Sequence, residues 1–541
     1  MKWTVTVLSA LLAASPLLAD GKNDRDAATR ETPSAPASAG TEAKPAEKPA
    51  AAEFAAEIEQ LRQMVLEQAR QMEAQQKLMQ EQQARLATLT EELRSAHAAG
   101  AAPATPAPVA SSTAAAPQEA ALDARVAKIE ADVAANKKSS EEGFKALGSL
   151  KLTGDIRLRY EPFFGGGPAS GAALPTRNRE RYRFRLNGNT KLGEDFNAGF
   201  AFASGDTGDP ISTNSTETGF FTRKPFAVDR AFITYHPHAF KALSVTGGKF
   251  AYTWQKTELT WDVDLNPEGV SEQLMWDWKD KILTHFGVVA FQLPMWEVSG
   301  GPDSGVIGGQ IQTGFKAGSR VKLGANFAFY NYRNADRIAQ NLNGGAGFAT
   351  NGTATPYGGT YGFGGSGITN NFGTIGTTRY LASQFGIADV LLRADIDTGH
   401  AKWPVVLIAD YVQNTRACSN LQVFYDAQIL NPAQVIPACD KHQRYGHWLE
   451  AQFGQTKNPR DMRIGYTFMR IDRDAVVSAF NFSDIRQATN DANHRLEFYY
   501  QAYKNITVGV TGLFGRQLVT AQSPTPERYL KRFQFDVIYA F

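Results

Sequence analysis

The chain has 541 residues, of which 56 are basic and 54 acidic, so its net charge is only +2. Such a balance gives no general basic surface for nucleic acid, which proteins bind mainly through Lys and Arg. Beyond the N-terminus the chain has no run of about 18 apolar residues, which argues against a helical membrane span there. A chain this long would ordinarily form several soluble domains, although one closed sheet can take up several hundred residues.

The first residues are typical of a secretory signal peptide. Lys2 gives a short basic region, residues 5–14 are mostly apolar, and a cleavage site follows Ala19. The apolar stretch is too short to cross a bilayer. We therefore expect export of the chain and removal of residues 1–19. A disordered Ala/Pro-rich linker is predicted at 20–52, because it has almost no large apolar residue.

Residues 53–96 carry a heptad repeat. Apolar residues recur every seven positions, at Ile58, Val65, Met72, Met79, Leu86 and Leu93. This spacing predicts a coiled coil of roughly 60 Å at about 1.5 Å per residue. Gln residues at 68, 75 and 82 interrupt the second heptad position, so a single solvated helix is the alternative. A second Ala/Pro linker at 97–120 and a short helix at 121–148 complete this region.

From about residue 150, apolar and polar residues alternate in segments of about ten, which is typical of transmembrane β-strands. The last segment is the clearest, because every second residue is apolar, at Phe533, Phe535, Val537, Tyr539 and Phe541. A strand would place all five on one face, as in the closing strand of an outer-membrane barrel. Val537, Tyr539 and Phe541 are accordingly the predicted barrel-assembly signal. The alternative is a strand of a soluble sandwich that happens to end the chain.

Sixteen such segments are predicted. They lie at 151–161, 181–189, 196–204, 226–236, 243–254, 270–277, 282–292, 306–315, 320–332, 387–398, 404–414, 444–454, 461–471, 494–502, 506–516 and 532–541. Short connections alternate with long ones, predicted at 162–177, 205–225, 255–269, 333–386, 415–443, 472–493 and 517–531. Such sorting of connections is typical of outer-membrane barrels. We therefore expect an all-β transmembrane barrel at 150–541, with both barrel ends and the coiled coil in the periplasm.

The barrel region resembles the bacterial putative porins that carry an N-terminal helical extension. The segments that support the resemblance are Gly154–Glu161, Arg177–Leu186, Phe200–Gly205, Asp209–Asn214, Asp229–Phe232, Gly247–Phe250, Asp264–Gly269 and Asp474–Val477. The resemblance implies a diffusion channel in the outer membrane, without identifying its solute.

One predicted strand carries arginine at alternate positions, which strand geometry would place on one lumen wall about 7 Å apart. The predicted basic wall consists of Arg157, Arg159, Arg181, Arg183, Arg185 and Lys191, with Arg177 and Arg179 at the end of the ladder. Because guanidinium groups bind carboxylate and phosphate, this wall could favour anions. Alternatively, arginine is an ordinary lumen residue that acids balance across the pore.

Acidic residues are concentrated in the third long connection. They are Glu258, Asp262, Asp264 and Glu268, beside Trp254 and Trp261. If this loop folds into the lumen, its carboxylates and the arginine wall would form a constriction. A transverse field there would select polar solutes by size and dipole.

Cys418 and Cys439 are the only cysteines, and in an oxidising compartment we expect them to form a disulfide. The chain lacks a G-x-S-x-G elbow, an H-E-x-x-H motif and a P-loop, so no enzyme activity is expected. No cofactor or metal is implied.

The function that the sequence favours is passive diffusion of small hydrophilic solutes through a porin. The predicted partners are outer-membrane lipid, small hydrophilic or anionic solutes and other copies of the chain, with the heptads favouring a trimer. The alternative is a structural anchor, in which the coiled coil tethers the barrel towards peptidoglycan.

Overall fold

The computed structural model describes residues 150–341 and 368–541. The predicted signal peptide, linkers, coiled coil and short helix lie outside the described residues, as does the middle of the longest loop. In the two described ranges, no helix is long and apolar enough to cross a membrane.

The described chain forms nineteen strands. In chain order they are β1 (Lys151–Gly165), β2 (Leu174–Leu192), β3 (Phe196–Ser204), β4 (Ser215–Thr216), β5 (Phe226–Tyr235), β6 (Leu243–Lys249), β7 (Glu268–Asp277), β8 (Leu283–Trp296), β9 (Ser304–Ala317), β10 (Val321–Arg333), β11 (Phe372–Ile375), β12 (Thr378–Leu381), β13 (Gly386–Ile396), β14 (Val405–Asn414), β15 (Tyr445–Gly454), β16 (Met462–Ile471), β17 (Asp491–Tyr503), β18 (Ile506–Gln517) and β19 (Leu530–Ala540). Two short helices, α1 (Asp336–Asn341) and α2 (Gln422–Leu430), lie in the connections after β10 and β14.

Sixteen of these strands form one closed antiparallel barrel. Each pairs with its neighbours along the chain, and β1 pairs with both β2 and β19, which leaves no free edge. The exceptions are β4, which only adds to β2, and the separate β11–β12 hairpin. Every predicted segment overlaps one barrel strand, so the predicted sixteen-stranded antiparallel barrel is confirmed.

The alternation within strands separates an apolar outer face from a polar inner face. On β19, Phe535, Val537 and Tyr539 are 44–48% exposed, whereas Arg532, Gln534 and Asp536 are 3–4% exposed. A water-soluble sheet would bury the apolar set, but here the polar set is buried. The outer face therefore suits hydrocarbon and the inner face a hydrated lumen.

The connections differ at the two ends of the barrel. One end has seven turns of two to eight residues, and the other has eight loops, L1 to L8 in chain order. The loops span 166–173, 205–225, 250–267, 297–303, 334–385, 415–444, 472–490 and 518–529. Two predictions were wrong here. L1 is shorter than predicted because β1 and β2 extend into it, and L4 was missed.

The loop half of the lumen contains an apolar core. Aromatic and aliphatic side chains from β8, β10, β15 and β16 point inward and pack against residues of L3, L5 and L7. This explains why several segments, such as β8 with Val289, Phe291 and Leu293 inside, show apolar residues on both faces. Most of the buried arginines lie instead on β1, β2 and β19.

Candidate functional site

L3 folds into the lumen, which is the condition on which the hypothesis of a constriction depends. It leaves the wall where Gly248 pairs with Gly269, both with positive φ (114° and 137°). A Cβ would lie 2.3 Å from a backbone oxygen at Gly248 and 2.1 Å from one at Gly269, so neither position has space for a side chain. Residues 250–254, predicted as the end of β6, belong to L3 instead.

Two tryptophans hold L3 against the far wall. The ring of Trp254 stacks on Phe291 at 4.2 Å between centroids, and Trp261 contacts Tyr330 edge-on at 5.7 Å. Both tryptophans are 3% exposed. Aromatic groups of this size bury enough area to keep the loop inside the barrel rather than in water.

L7 also folds into the lumen, which no local pattern in the sequence predicts. The backbone N–H of Asp262 donates to Phe480 O at 2.7 Å, and that of Phe482 donates to Glu258 O at 3.0 Å. The Ser483 N–H donates to the Asp262 carboxylate at 2.9 Å. L3 and L7 therefore pair through their backbones and form one body inside the barrel.

The arginine wall lies opposite this body, on β1, β2 and β19. The strand register sets Arg157 directly across from Arg183 and Arg159 directly across from Arg181. Like charges that face each other across strands destabilise a sheet. The wall can therefore be stable only if carboxylates lie among the guanidinium groups.

Glu161 is the central carboxylate of the wall. Its side chain is fully buried, and its oxygens lie 2.6 Å from Arg532 and 2.7 Å from Arg179. Arg159 and Arg181 approach it at 3.5 Å and 3.8 Å. One carboxylate thus faces four guanidinium groups, and charge-assisted hydrogen bonds of this kind are the strong ones.

Asp155 neutralises the arginines at the other end of the wall. Its two oxygens accept from Arg183 and Arg185, each at 2.7 Å. This pairing could be predicted from the sequence, because Asp155 lies two residues before Arg157 and therefore on the same face of β1 as Arg157 and Arg159. The predicted arginine ladder is therefore largely ion-paired within its own wall.

Two further carboxylates close on Arg159. Asp536 of β19 lies 2.6 Å from it, and Asp484 of L7 lies 3.2 Å from it. Asp484 also contacts Arg532 at 2.7 Å. Although burial would raise the pKa of Asp484, the guanidinium groups of Arg532 and Arg159 hold it well below its usual value.

The predicted L3 acids do not act as one group. Asp264 lies 3.6 Å from Arg185, and Glu258 lies 2.9 Å from Arg495 on β17. Burial would raise the pKa of Asp264, but the charges of Arg183, Arg185 and Arg157 lower it overall. Burial raises the pKa of Glu258 to about 6, although Arg495 opposes the shift.

Asp262 differs from both of these acids. Burial and the nearby charges of Glu258 and Asp264 raise its pKa well above the usual value. Its carboxylate accepts two backbone N–H groups, from Asp264 at 2.8 Å and from Ser483. Within the described ranges, no cationic side chain lies within ion-pair distance of it.

Two of the predicted site residues lie apart from the rest. Glu268 begins β7 and pairs with Lys249 at 2.9 Å, with its side chain 64% exposed. Lys191 is exposed near the turn after β2. Within the described residues neither forms an ion pair with the other predicted residues, and neither lines the cavity between the arginine wall and L3.

A cavity of about 190 Å³ separates the arginine wall from L3 and L7. It is lined by Arg157, Arg159 and Arg183 on the wall side and by Glu258, Asp262, Asp264 and Asp484 on the loop side. Arg495, Tyr499 and Gln534 also border it, and sequence reasoning missed all three together with Asp484. Loop residues such as Asp484 carry no sequence signal, because their position depends on how L7 packs.

The remaining predicted residues lie outside the lumen constriction. Cys418 and Cys439 form a disulfide within L6, with their Cα atoms 5.7 Å apart. Val537, Tyr539 and Phe541 lie on the outer face, each 44–48% exposed.

The sequence pattern of a family described as "Putative porin" matches residues 170–513, more than half of the chain. The protein belongs to this family. With a closed barrel, an apolar exterior and a charged lumen, this member of the family is an outer-membrane β-barrel with the role of a channel. A search of curated proteins finds no match.

Among solved structures, the chain is similar in fold to several outer-membrane proteins. OmpF of Salmonella typhi, in a complex with daunomycin, is 12% identical over 72% of this chain and 97% of its own, with a TM-score of 0.39. The channel DcaP of Acinetobacter baumannii is 12% identical over 72% of this chain and 97% of its own, with a TM-score of 0.37. OprB of Pseudomonas putida is 10% identical over 72% of this chain and 94% of its own, with a TM-score of 0.42.

Proposed function

We propose that this putative porin allows small hydrophilic solutes to diffuse passively across the outer membrane, through the passage between the arginine wall and L3 with L7. The observation that carries the proposal is the position of the cavity. Charged side chains of opposite sign line its two sides, while the apolar core packs L3 against the wall of β8 and β10. A solute that takes this passage moves between two charged surfaces of opposite sign.

The passage would select by size and by dipole rather than strongly by net charge. Glu161, Asp155 and Asp536 neutralise most guanidinium groups of the wall at distances below 3 Å. This pairing supports the balanced alternative over a strong anion preference. A field across the passage remains, because the wall is richer in cations and L3 is richer in carboxylates.

Liposome swelling tests this proposal. The full chain, reconstituted in lipid vesicles, should admit uncharged solutes in order of increasing size, from glycerol through a monosaccharide, and exclude an oligosaccharide. Vesicles that contain the heat-denatured chain give the control rate. Swelling equal to that control for every solute would contradict the proposal.

We also propose that the chain forms trimers, because the predicted heptads of residues 53–96 would hold three copies together. Native mass spectrometry of the detergent-solubilised full chain should give three times the protomer mass. Deletion of 53–96 should weaken the assembly. A monomer of the full chain at all concentrations would contradict this proposal.

A further inference from the structure

Two ionisable groups at the constriction have no opposite charge within ion-pair distance in the described residues, and they line the same cavity. One is Arg157 on the wall side and the other is Asp262 on the L3 side. All other charged residues that line this cavity on β1, β2 and β17 lie within 4 Å of an opposite charge.

Arg157 is 9% exposed, and its guanidinium donates to the side-chain oxygen of Asn214. Its Nε–H is buried without an acceptor, and no carboxylate of the described residues lies within ion-pair distance. The like charges of Arg159 and Arg183 act on it more strongly than the carboxylates of Asp536 and Asp264, which lie beyond ion-pair distance. A buried cation in this situation is costly, and an anionic group placed beside it would relieve the cost.

Asp262 is 3% exposed and lies among carboxylates instead. Glu258 and Asp264 are its charged neighbours on L3, and Lys256 donates to Trp261 O rather than to Asp262. Its raised pKa has the same cause, an excess of negative charge in a buried place. A cationic group of a solute would satisfy Asp262 in the way that a proton otherwise does.

We propose that the cavity between Arg157 and Asp262 is a binding site for a small zwitterion, a solute that carries one carboxylate and one ammonium group. The carboxylate contacts the guanidinium of Arg157, and the ammonium contacts the carboxylate of Asp262. The volume of about 190 Å³ is many times the roughly 10–15 Å³ that a cavity needs to hold one water, which leaves room for a short amino acid. The inference rests on the proposed function, since the solute reaches this site only through the channel.

Such a site would combine binding with passage. A solute with both charges exchanges its hydration shell for the two unpaired groups, whereas a simple ion meets one attractive and one repulsive surface. Productive conduction requires that binding is weak enough for release. Zwitterions should therefore occupy the constriction briefly and interrupt the current of small ions.

Planar-bilayer recording of the full chain tests the proposal. The probes are glycine, β-alanine and 4-aminobutyrate, which differ in charge separation, and the control solute is glycolamide, an uncharged isomer of glycine. At least one zwitterion should reduce the KCl current in a saturable manner, and glycolamide should reduce it only through viscosity. In Arg157→Gln and in Asp262→Asn, the half-blocking concentration of that zwitterion should rise about tenfold, or about 1.4 kcal/mol.

Two controls make the result specific. Arg393→Gln removes a guanidinium that pairs with Asp395 at 2.7 Å and is 47% exposed, so block should be unchanged. Arg157→Lys keeps the charge and should restore part of the block. Block by acetate equal to that by the zwitterions, block unaffected by both site variants, or no block at all would overturn the zwitterion site. Absence of any channel current would overturn the proposed function and this inference together.

Discussion

Glu161 should be the most sensitive carboxylate of the lumen wall, and Glu161→Gln tests this. The substitution keeps the shape of the side chain but removes the charge that faces four arginines. Arg159 retains Asp536, and Arg532 retains Asp484, at distances of 2.6 Å and 2.7 Å. Arg179 and Arg181 lose the only carboxylate that lies within 4 Å in the described residues.

The loss in free energy of unfolding depends on how many of the four arginines keep a carboxylate partner. Breaking a buried ion pair typically costs 3–5 kcal/mol, and because two of the four arginines keep partners, we expect about 3 kcal/mol. The assay is urea unfolding of the full chain in lipid vesicles, followed by tryptophan fluorescence. The matched control is Glu268→Gln, which removes an exposed pair with Lys249 and should cost about 0–1 kcal/mol.

The same variant should change selectivity. With one negative charge fewer, the wall gains net positive charge, so the reversal potential in a KCl gradient should shift towards anions. A loss of stability no larger than that of Glu268→Gln, together with an unchanged reversal potential, would refute the account of the wall.

Three further predictions concern L3, L6 and pH. The pKa of Glu258 is about 6 in the folded protein against a usual 4.5, so the folded state binds this proton more tightly. The stabilisation that this bound proton gives the folded state is therefore fully present below pH 4.5, and it is lost as the pH rises through 6. Lowering the pH through this window should shift the reversal potential towards anions, and Glu258→Gln should abolish that step; a step of equal size in the variant would contradict the assignment. Thr257 donates to Asp410 and accepts the Leu259 N–H at 3.1 Å. Thr257→Val should therefore weaken L3 docking by about 1–3 kcal/mol, seen as increased current noise, and noise like that of the wild type would count against the anchor. Replacing both Cys418 and Cys439 by Ser should lower the free energy of unfolding by about 3 kcal/mol, because the disulfide closes a loop over a sequence separation of 21 residues. L6 should then be cleaved faster by protease while conductance is unchanged, and equal cleavage rates would show that the disulfide does not hold the loop.

The barrel could be predicted from the sequence because lipid and water impose a period of two on every strand. This alternation is a local property of each segment. It predicted the correct number of barrel strands, including strands whose inner face is apolar. The boundaries failed where the local pattern continued beyond the wall, as at residues 250–254, which alternate like a strand but bend inward after Gly248.

The constriction could be predicted only in part. The arginines of β1 and β2 and the acids of L3 could be recognised from the residue types and their spacing at alternate positions. Asp155 and Glu161 fall on the same alternate positions as the arginines of β1. The position of L7 could not be predicted, since it depends on backbone pairing between Asp262 and Phe480, more than two hundred residues apart. Asp484 and its ion pairs follow from that packing, and no local pattern encodes them.

In the proposed function, solutes pass between the arginine wall and L3 rather than through the apolar core. Single cysteines test it directly, because the two native cysteines are joined in a disulfide. Val263 borders the cavity and is 55% exposed, whereas Leu259, four residues earlier in L3, is fully buried in the apolar core. A charged thiol reagent should reduce the current through Val263→Cys within the recording and leave Leu259→Cys unchanged. Reduction at Leu259→Cys with no effect at Val263→Cys would place the passage on the other side of L3 and contradict the account.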